Sequence, residues 1–166
     1  MSRADGALSA DEVKSCPGWP GEDCLESRKA AVLECVEDIP CNPCEVVCPA
    51  GAITVGSPIT NLPSIDGAKC TGCGLCIAAC PGLAIFVVEK NHGSDQAAVS
   101  LPYELLPLPR QGQTVRALDR NGSAIGRAKV LRVQKAKKFD HTHVVTIAVD
   151  RKYYNEARGI EVPGNG

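Results

Sequence analysis

Up to Asp95, the chain alternates short apolar runs with polar, cysteine-rich turns. An apolar run at Ala30–Leu33 predicts a strand, and two further runs, Ala52–Val55 and Ala84–Val88, predict strands that each follow a Cys-Pro pair. The segments Glu45–Cys48 and Leu75–Cys80 are long enough for one or two helical turns that end next to a proline. The order strand, cysteine loop, helical turn and strand therefore occurs twice, and we expect two halves related by approximate two-fold symmetry.

From Gln96 onward the chain contains no cysteine, and its pattern changes to a series of strand-like runs. Turn-forming residues at Asp119–Gly122 predict a hairpin between two of these runs. The predicted strands are Ala97–Leu101, Thr114–Leu118, Ala124–Gln134 and Val144–Val149. Four or five antiparallel strands in so short a segment predict a small barrel or half-barrel.

The N-terminal segment is polar and rich in turn-forming residues, such as the stretch CPGWPGEDC at Cys16–Cys24. We therefore expect an irregular N-terminal arm at residues 1–29. A repeat domain at residues 30–95 and a small β domain with a basic surface at residues 96–166 should follow. The predicted fold class is α+β, with the helix-containing repeat followed by a small antiparallel, barrel-like β domain.

Charge also separates the two parts of the chain. Residues 1–109 carry 6 basic and 14 acidic side chains, whereas residues 110–166 carry 12 basic and 5 acidic ones. The total of −1 therefore combines a net charge of −8 in the first part with +7 in the second. The basic residues Lys135, Lys137 and Lys138 form either a solvated face or a surface that docks on an acidic partner.

The use of cysteine indicates the cellular compartment. The chain has 10 cysteines, eight of them between Cys35 and Cys80. A disulfide framework would suit a secreted chain, but the segment Met1–Ala30 contains charges throughout and no apolar run typical of a signal peptide. The longest apolar run, Ala84–Val88, is far too short to span a membrane. We expect a cytoplasmic protein whose cysteines are reduced and bound to metal.

Four cysteines of the second repeat follow the spacing C-x2-C-x2-C-x3-C-P. They are Cys70, Cys73, Cys76 and Cys80. When the first repeat is aligned with the second, its cysteines Cys41, Cys44 and Cys48 fall on the last three of them. Three thiolates at this spacing wrap three corners of an iron–sulfur cube, and the cysteine before proline ligates a second cluster. Zinc sites prefer two C-x2-C pairs in a closed tetrahedral set and fit this spacing poorly.

One corner of the first repeat departs from the pattern. The position that matches Cys70 is Asp38, and the nearest spare cysteine is Cys35. Thiolate is softer than carboxylate and suits iron–sulfur clusters better, which favours Cys35 and leaves Asp38 as the alternative. Cys16 and Cys24 remain, and we interpret them as free thiols in the N-terminal arm.

The two motifs resemble those of the bacterial-type ferredoxin family, which holds two [4Fe–4S] clusters, over about residues 30–90. The resemblance implies a ferredoxin-like 2[4Fe–4S] domain with a pseudo-two-fold repeat. The first cluster would be held by Cys35, Cys41, Cys44 and Cys80. The second cluster would be held by Cys70, Cys73, Cys76 and Cys48.

Longer stretches, including VLECVEDIPCNPCEVVCPAGAI and ITNLPSIDGAKCTGCGLCIAACPGLAIF, resemble the small ferredoxin-like subunits of FAD-dependent amine and amino-acid dehydrogenase complexes. Such complexes act on proline, hydroxyproline or opines, and the resemblance runs from about Val32 to Val162. It implies an electron relay from FAD on a larger dehydrogenase subunit, in a hetero-oligomer, to a downstream acceptor. It leaves the amine substrate open.

Motifs for nucleotide binding and nucleophilic catalysis are absent from the sequence, which has no G-x-G-x-x-G and no P-loop. We therefore assign no catalytic residue and expect a subunit of a flavin-dependent oxidoreductase complex, while leaving open whether the chain is an enzyme. His141 and His143 flank one threonine, and His92 lies in a predicted turn. Exposed histidines at loop edges are commoner than histidine metal ligands, so we assign no metal to them.

Two alternatives belong to other classes. A free-standing soluble two-cluster ferredoxin would be shorter and more acidic than this chain. An iron–sulfur protein whose basic tail binds nucleic acid is the other alternative. The aromatic residues of the tail, Phe139, Tyr153 and Tyr154, form no interleaved stacking platform in the sequence, so we expect no nucleic-acid partner.

Overall fold

The computed structural model describes residues 6–139 and 141–163, with the side chain of Lys138 outside the described part. The helices are α1 (Ala10–Ser15), α2 (Glu22–Ser27), α3 (Pro43–Val46) and α4 (Leu75–Ala79). The strands are β1 (Ala30–Leu33), β2 (Ile53–Thr54), β3 (Ser64–Ile65), β4 (Ile85–Glu89), β5 (Gln96–Tyr103), β6 (Thr114–Leu118), β7 (Ala124–Gln134), β8 (His143–Asp150) and β9 (Gly159–Glu161). Short 3-10 helices, Lys137–Phe139 and Arg151–Tyr153, flank β8. The fold is therefore mostly antiparallel sheet with a few short helices.

Seven of the described strands form one antiparallel sheet in the order β1-β4-β5-β8-β7-β6-β9, and β2 pairs with β3 separately. The strands predicted at Thr114–Leu118 and Ala124–Gln134 are confirmed as β6 and β7. β4 pairs with β5, so the strands of the C-terminal half add to the β1–β4 pair instead of closing on themselves. The order is linear in the described residues, so these strands form no closed barrel, and the half-barrel stays a prediction.

The predicted domain boundary after residue 95 lies between β4 and β5, which belong to the same sheet. One apolar core, which includes Val99 and Ile147, lies in the C-terminal half. Another, which includes Leu33 and Ile77, lies next to the cysteine loops. A division into domains at this boundary stays a prediction, since one sheet crosses it.

The two cysteine repeats contain matching elements. Helix α3 begins at Pro43 and helix α4 begins at Leu75, which are equivalent positions of the two repeats. Ile53 of β2 lies opposite Ile65 of β3, and Ile85 of β4 lies opposite Leu33 of β1. The alignment of the two repeats places Ile53 on Ile85 and Leu33 on Ile65. The two cross-strand pairs therefore occupy equivalent positions in the two repeats.

The N-terminal segment contains two helices, so the expectation of an irregular arm is wrong for α1 and α2. α1 begins with a capping box, in which the Ser9 hydroxyl accepts from the Glu12 amide (3.3 Å) and the Glu12 carboxylate accepts from the Ser9 amide (2.9 Å). Val13 of α1 and Leu25 of α2 are buried together with residues of β1 and β4. The cap and the burial outweigh the turn-forming residues that lie between the helices.

The segment between α1 and α2 connects the two repeats. The Pro17 carbonyl accepts a hydrogen bond from the Ile65 amide (3.1 Å), and the Gly18 carbonyl accepts one from the Leu33 amide (3.0 Å). A Cβ atom on Gly18 would lie 2.3 Å from the Leu33 carbonyl oxygen, so this close approach requires glycine. The N-terminal segment is therefore a packed part of the fold.

Cys16 is only 5% exposed, and its thiol donates a hydrogen bond to the Glu12 carbonyl (3.2 Å). Burial raises the pKa of this thiol, which lowers the fraction of reactive thiolate. We predict that iodoacetamide labels Cys16 at least about tenfold more slowly in the folded protein than in urea, because labelling requires opening of the segment. Peptide mass spectrometry under anaerobic conditions measures both rates. Equal rates would contradict this packing.

A buried ion network joins the cysteine half to the C-terminal half. Glu34, which follows β1, accepts hydrogen bonds from Arg120 (2.9 and 2.7 Å) and Arg158 (2.6 Å). Asn155 accepts one from each arginine, and Arg158 lies 4.9 Å from the centre of the Phe86 ring. The three charged side chains are at most 8% exposed. Burial alone would raise the pKa of Glu34, but the two arginines outweigh it and hold that pKa below its ordinary value.

Replacement of Arg158 by Met should lower the free energy of unfolding by about 2–3 kcal/mol, because it removes a charged hydrogen bond from a buried carboxylate that keeps Arg120 as its partner. Arg116→Met is the matched control. Arg116 pairs with Glu161 on the surface, where the two side chains are 57% and 48% exposed. Such an exposed pair, screened by solvent, contributes little to stability. Anaerobic urea unfolding compares the variants, and equal losses would contradict a structural role for the buried network.

Candidate iron–sulfur centres

Two small cavities lie among the cysteine loops. The first, which we call the Cys70 cavity, has four cysteines in its lining: Cys48, Cys70, Cys73 and Cys76. Three of them come from the second repeat, and the fourth comes from the first repeat. Most of the remaining lining is apolar or glycine, including Ala31, Ile53 and Val87.

The second cavity, which we call the Cys41 cavity, also has four cysteines in its lining. They are Cys35, Cys41, Cys44 and Cys80. Asp38, the alternative for the irregular corner, is not among the lining residues, although its neighbour Glu37 is. The structure therefore brings together the two sets of cysteines that the sequence predicted. Their role as cluster ligands stays a prediction.

Backbone amides donate hydrogen bonds to three of these cysteine sulfurs. The donor and acceptor pairs are Ala31 to Cys70 (3.3 Å), Ala52 to Cys48 (3.3 Å) and Ala84 to Cys80 (3.5 Å). The last two pairs occupy equivalent positions in the two repeats. Each such bond favours the thiolate over the thiol. The alanine side chains give no sign of this role in the sequence, so only the three-dimensional structure identifies these donors.

Burial changes the acidity of the thiols that line the cavities. It raises the pKa of Cys44 to about 11 and that of Cys76 to about 12, because a buried thiolate loses its hydration. Burial also raises the pKa of Cys35. At neutral pH a bound positive charge would favour the thiolate at these positions, and the iron of a cluster would supply it.

The residues present fit the predicted group in three respects. Each cavity offers four thiols, its lining is largely apolar, and amides donate to the sulfurs. In the described part of the chain, no three His, Cys, Asp or Glu side chains are grouped closely enough to hold a metal ion. The four cysteines of each set line one cavity, and a [4Fe–4S] cluster takes four cysteine thiolates.

The other candidates from the sequence do not line either cavity. Nδ1 of His92 lies 3.1 Å from the Glu89 carboxylate, and His143 is the first residue of β8. Lys135 and Lys137 are exposed after the end of β7. These positions leave the cysteines as the candidate ligands in the described residues.

Comparison with known protein families identifies the class of domain. Residues 34–84, which contain all eight cysteines of the two cavities, match the model of the 4Fe-4S dicluster domain. The chain therefore contains a 4Fe-4S dicluster ferredoxin domain, and the prediction of iron–sulfur clusters is confirmed at this level.

Individual relatives share parts of the chain. It is 42% identical over 93 residues to an uncharacterized ferredoxin of Methanocaldococcus jannaschii, an alignment that covers 55% of this chain and 56% of the relative. It is 50% identical over 64 residues to a subunit of the Na(+)-translocating ferredoxin:NAD(+) oxidoreductase complex of Acetobacterium woodii, covering 34% and 19% of the two chains. It is 27% identical over 128 residues to Protein Pixie of Drosophila melanogaster, covering 68% and 21%.

The chain spans between about a fifth and just over half of the length of these curated relatives. Neither the matched family nor these three relatives is named as a FAD-dependent amine dehydrogenase subunit. No solved structure matches the chain. Within the described residues, no helix has the length and apolar character needed to cross a membrane.

Substitution at the irregular corner distinguishes its two candidate ligands. Cys35→Ala should lose one cluster, which is about four of about eight irons per chain, because it removes a thiol from the Cys41 cavity. Asp38→Ala is the matched control and should keep all of the iron, since Asp38 does not line that cavity. Iron and acid-labile sulfide are measured after anaerobic reconstitution. Loss of iron in Asp38→Ala alone would assign the corner to the carboxylate.

Proposed function

We propose that this protein is the iron–sulfur electron-transfer subunit of an oxidoreductase complex. In this proposal it relays electrons from FAD on a larger dehydrogenase subunit, which oxidises an amine or amino acid, to a downstream acceptor. The observation that carries the iron–sulfur part is the pair of cavities, each lined by four cysteines, within a matched 4Fe-4S dicluster domain. Iron–sulfur electron transfer also agrees with a relative named as a ferredoxin.

The proposed ligands of one cluster are Cys35, Cys41, Cys44 and Cys80. Those of the other are Cys48, Cys70, Cys73 and Cys76. When bound, such clusters supply one-electron storage and transfer. The chain contributes the thiolates, and its amides at Ala31, Ala52 and Ala84 stabilise negative charge on three of the sulfurs.

Helices α3 and α4 would fix the distance between the two clusters. Cys44 in α3 lines the Cys41 cavity, whereas Cys48, which follows that helix, lines the Cys70 cavity. Cys76 and Cys80 reach the two cavities in the opposite order. Each cavity thus depends on both repeats, and this exchange of cysteines supports a pseudo-two-fold ferredoxin-like arrangement. A short covalent path holds the two centres close together for electron transfer.

The flavin-containing partner rests on narrower support. The stretches VLECVEDIPCNPCEVVCPAGAI and ITNLPSIDGAKCTGCGLCIAACPGLAIF resemble small subunits of FAD-dependent amine dehydrogenases. A relative named as part of a multi-subunit oxidoreductase complex supports a role within a larger assembly. We also propose a cytoplasmic location, because none of the ten cysteines forms a disulfide, which is typical of a reducing compartment.

Anaerobic purification of the tagged protein from its own cells tests this function. The expected product contains about eight irons and eight sulfides per chain, gives electron paramagnetic resonance signals after reduction, and is accompanied by a larger subunit with flavin absorbance. A matched purification of the Cys70→Ala and Cys73→Ala double variant should contain about half of the iron.

The outcomes separate the parts of the proposal. A brown monomer with full iron and no partner would support the free-standing ferredoxin instead of the complex subunit. A wild-type chain that binds no iron would overturn the iron–sulfur function itself. If flavin and a larger chain co-elute, reduction of the clusters by candidate amines identifies the substrate.

A further inference from the structure

A trough lies along the sheet beside the Cys70 cavity. Its floor is one face of β4, β5, β8 and β7, where a cross-strand row consists of Val87, Ser100, Thr146 and Arg132. The hydroxyls of Ser100 and Thr146 are hydrogen-bonded to each other (2.8 Å). One wall is the cysteine loop Gly72–Gly74, with Cys73 at its centre. The trough therefore brings a polar sheet face next to a proposed cluster ligand.

A β-bulge places Arg132 on this face. Lys129 lies opposite Ala148 and Arg132 lies opposite Thr146, so β7 has one residue more than β8 in this interval. Without the extra residue, Leu131 would lie opposite Thr146. Arg132 would then point to the other face, which packs into the apolar core. The bulge therefore changes an apolar position of the trough into a cationic one.

The lining of the trough contains two cationic side chains and one carboxylate. Lys29 lies beside the cysteine loop, and Arg132 lies on β7 at the end of the cross-strand row; both are exposed. Glu89 is the acidic residue of the lining, and its carboxylate lies 3.1 Å from Nδ1 of His92. Complementary charge therefore favours an acidic occupant.

Cys73 is the most accessible point of the proposed clusters. All ten cysteines are described, and Cys73 is the one that is exposed. Electron transfer slows steeply with distance, so a partner that fills the trough is best placed to exchange electrons through Cys73. Small side chains on the floor, such as Ala98 and Ser100, leave an open surface that suits a protein segment.

We propose that the trough is the docking surface for an acidic face of a protein electron partner, and that electrons cross at Cys73. This inference rests on the proposed function. Cys48, Cys70, Cys73 and Cys76 would hold the cluster of the Cys70 cavity. That cluster would supply one electron, and so be oxidised, to a one-electron carrier of the flavin or iron–sulfur class on the partner, which would be reduced.

Charge reversal on β7 tests the docking surface. Arg132→Glu changes the trough, and Arg127→Glu is the matched control, because Arg127 is an exposed arginine on the same strand that does not line the trough. The dithionite-reduced, cluster-loaded protein is mixed in a stopped-flow instrument with oxidised flavodoxin, an acidic one-electron flavin protein. Hexacyanoferrate(III), a small anion, serves as a second acceptor. Cluster content and the unfolding midpoint of each variant are measured first.

At low ionic strength, Arg132→Glu should slow the reaction with flavodoxin by about three- to tenfold, and Arg127→Glu should change it by less than about twofold. The difference should shrink as salt is raised from about 0.01 M to about 0.15 M, because the Debye length falls from about 30 Å to about 8 Å. Equal rates in the two variants would overturn the inference while leaving the proposed function intact. Slowing with hexacyanoferrate alone would overturn it in favour of a small-anion site. A wild-type protein without iron would overturn both.

Discussion

The cysteine half of this fold is constrained by eight thiols that surround two largely apolar cavities. A thiolate in such a place loses its hydration, as the raised pKa values of Cys44 and Cys76 show. Backbone amides donate to the sulfurs of three other cysteines, and a bound iron–sulfur cluster would supply the positive charge that holds the sulfurs as thiolates. The C-terminal half has no such requirement, because its core is built from apolar side chains. The shared sheet and the buried pair of Glu34 with Arg158 join the cysteine half to this apolar core.

Local sequence signals predicted most of the strands, whereas their assembly depends on tertiary pairing. β6 and β7 have the predicted bounds because apolar runs and the turn at Asp119–Gly122 lie close together along the chain. The capping box at Ser9 is equally local, but the turn-forming residues at Cys16–Cys24 favoured an irregular arm and concealed two helices. The open sheet follows from the pairing of β4 with β5, and the position of Arg132 follows from a bulge against β8. No local pattern specifies either of these.

The spacing of the cysteines predicted most of the candidate site. Seven cysteines follow the repeated motif, and each lines the cavity to which the motif assigned it. Cys35 lies outside the motif, and thiolate chemistry, rather than spacing, favoured it over Asp38. Its place in the lining of the Cys41 cavity depends on how the inserted segment folds. The amide of Ala31 was not predictable at all, because it belongs to a neighbouring strand and not to a cysteine loop.

The surfaces around the two cavities differ in chemistry, which bears on how a relay distinguishes its partners. At the Cys41 cavity, Ile39 in the lining is 50% exposed, and Ile59, whose carbonyl accepts from the Cys41 amide (3.3 Å), is 44% exposed. Beside the Cys70 cavity, the surface is instead cationic, with Lys29 and Arg132. Exposed apolar surface favours long-lived association, whereas complementary charge accelerates encounter and suits partners that dissociate after each transfer. In the proposed relay, the two nearly equivalent cysteine sets would therefore meet different partners through the surfaces around them, and the two sets themselves would not need to differ.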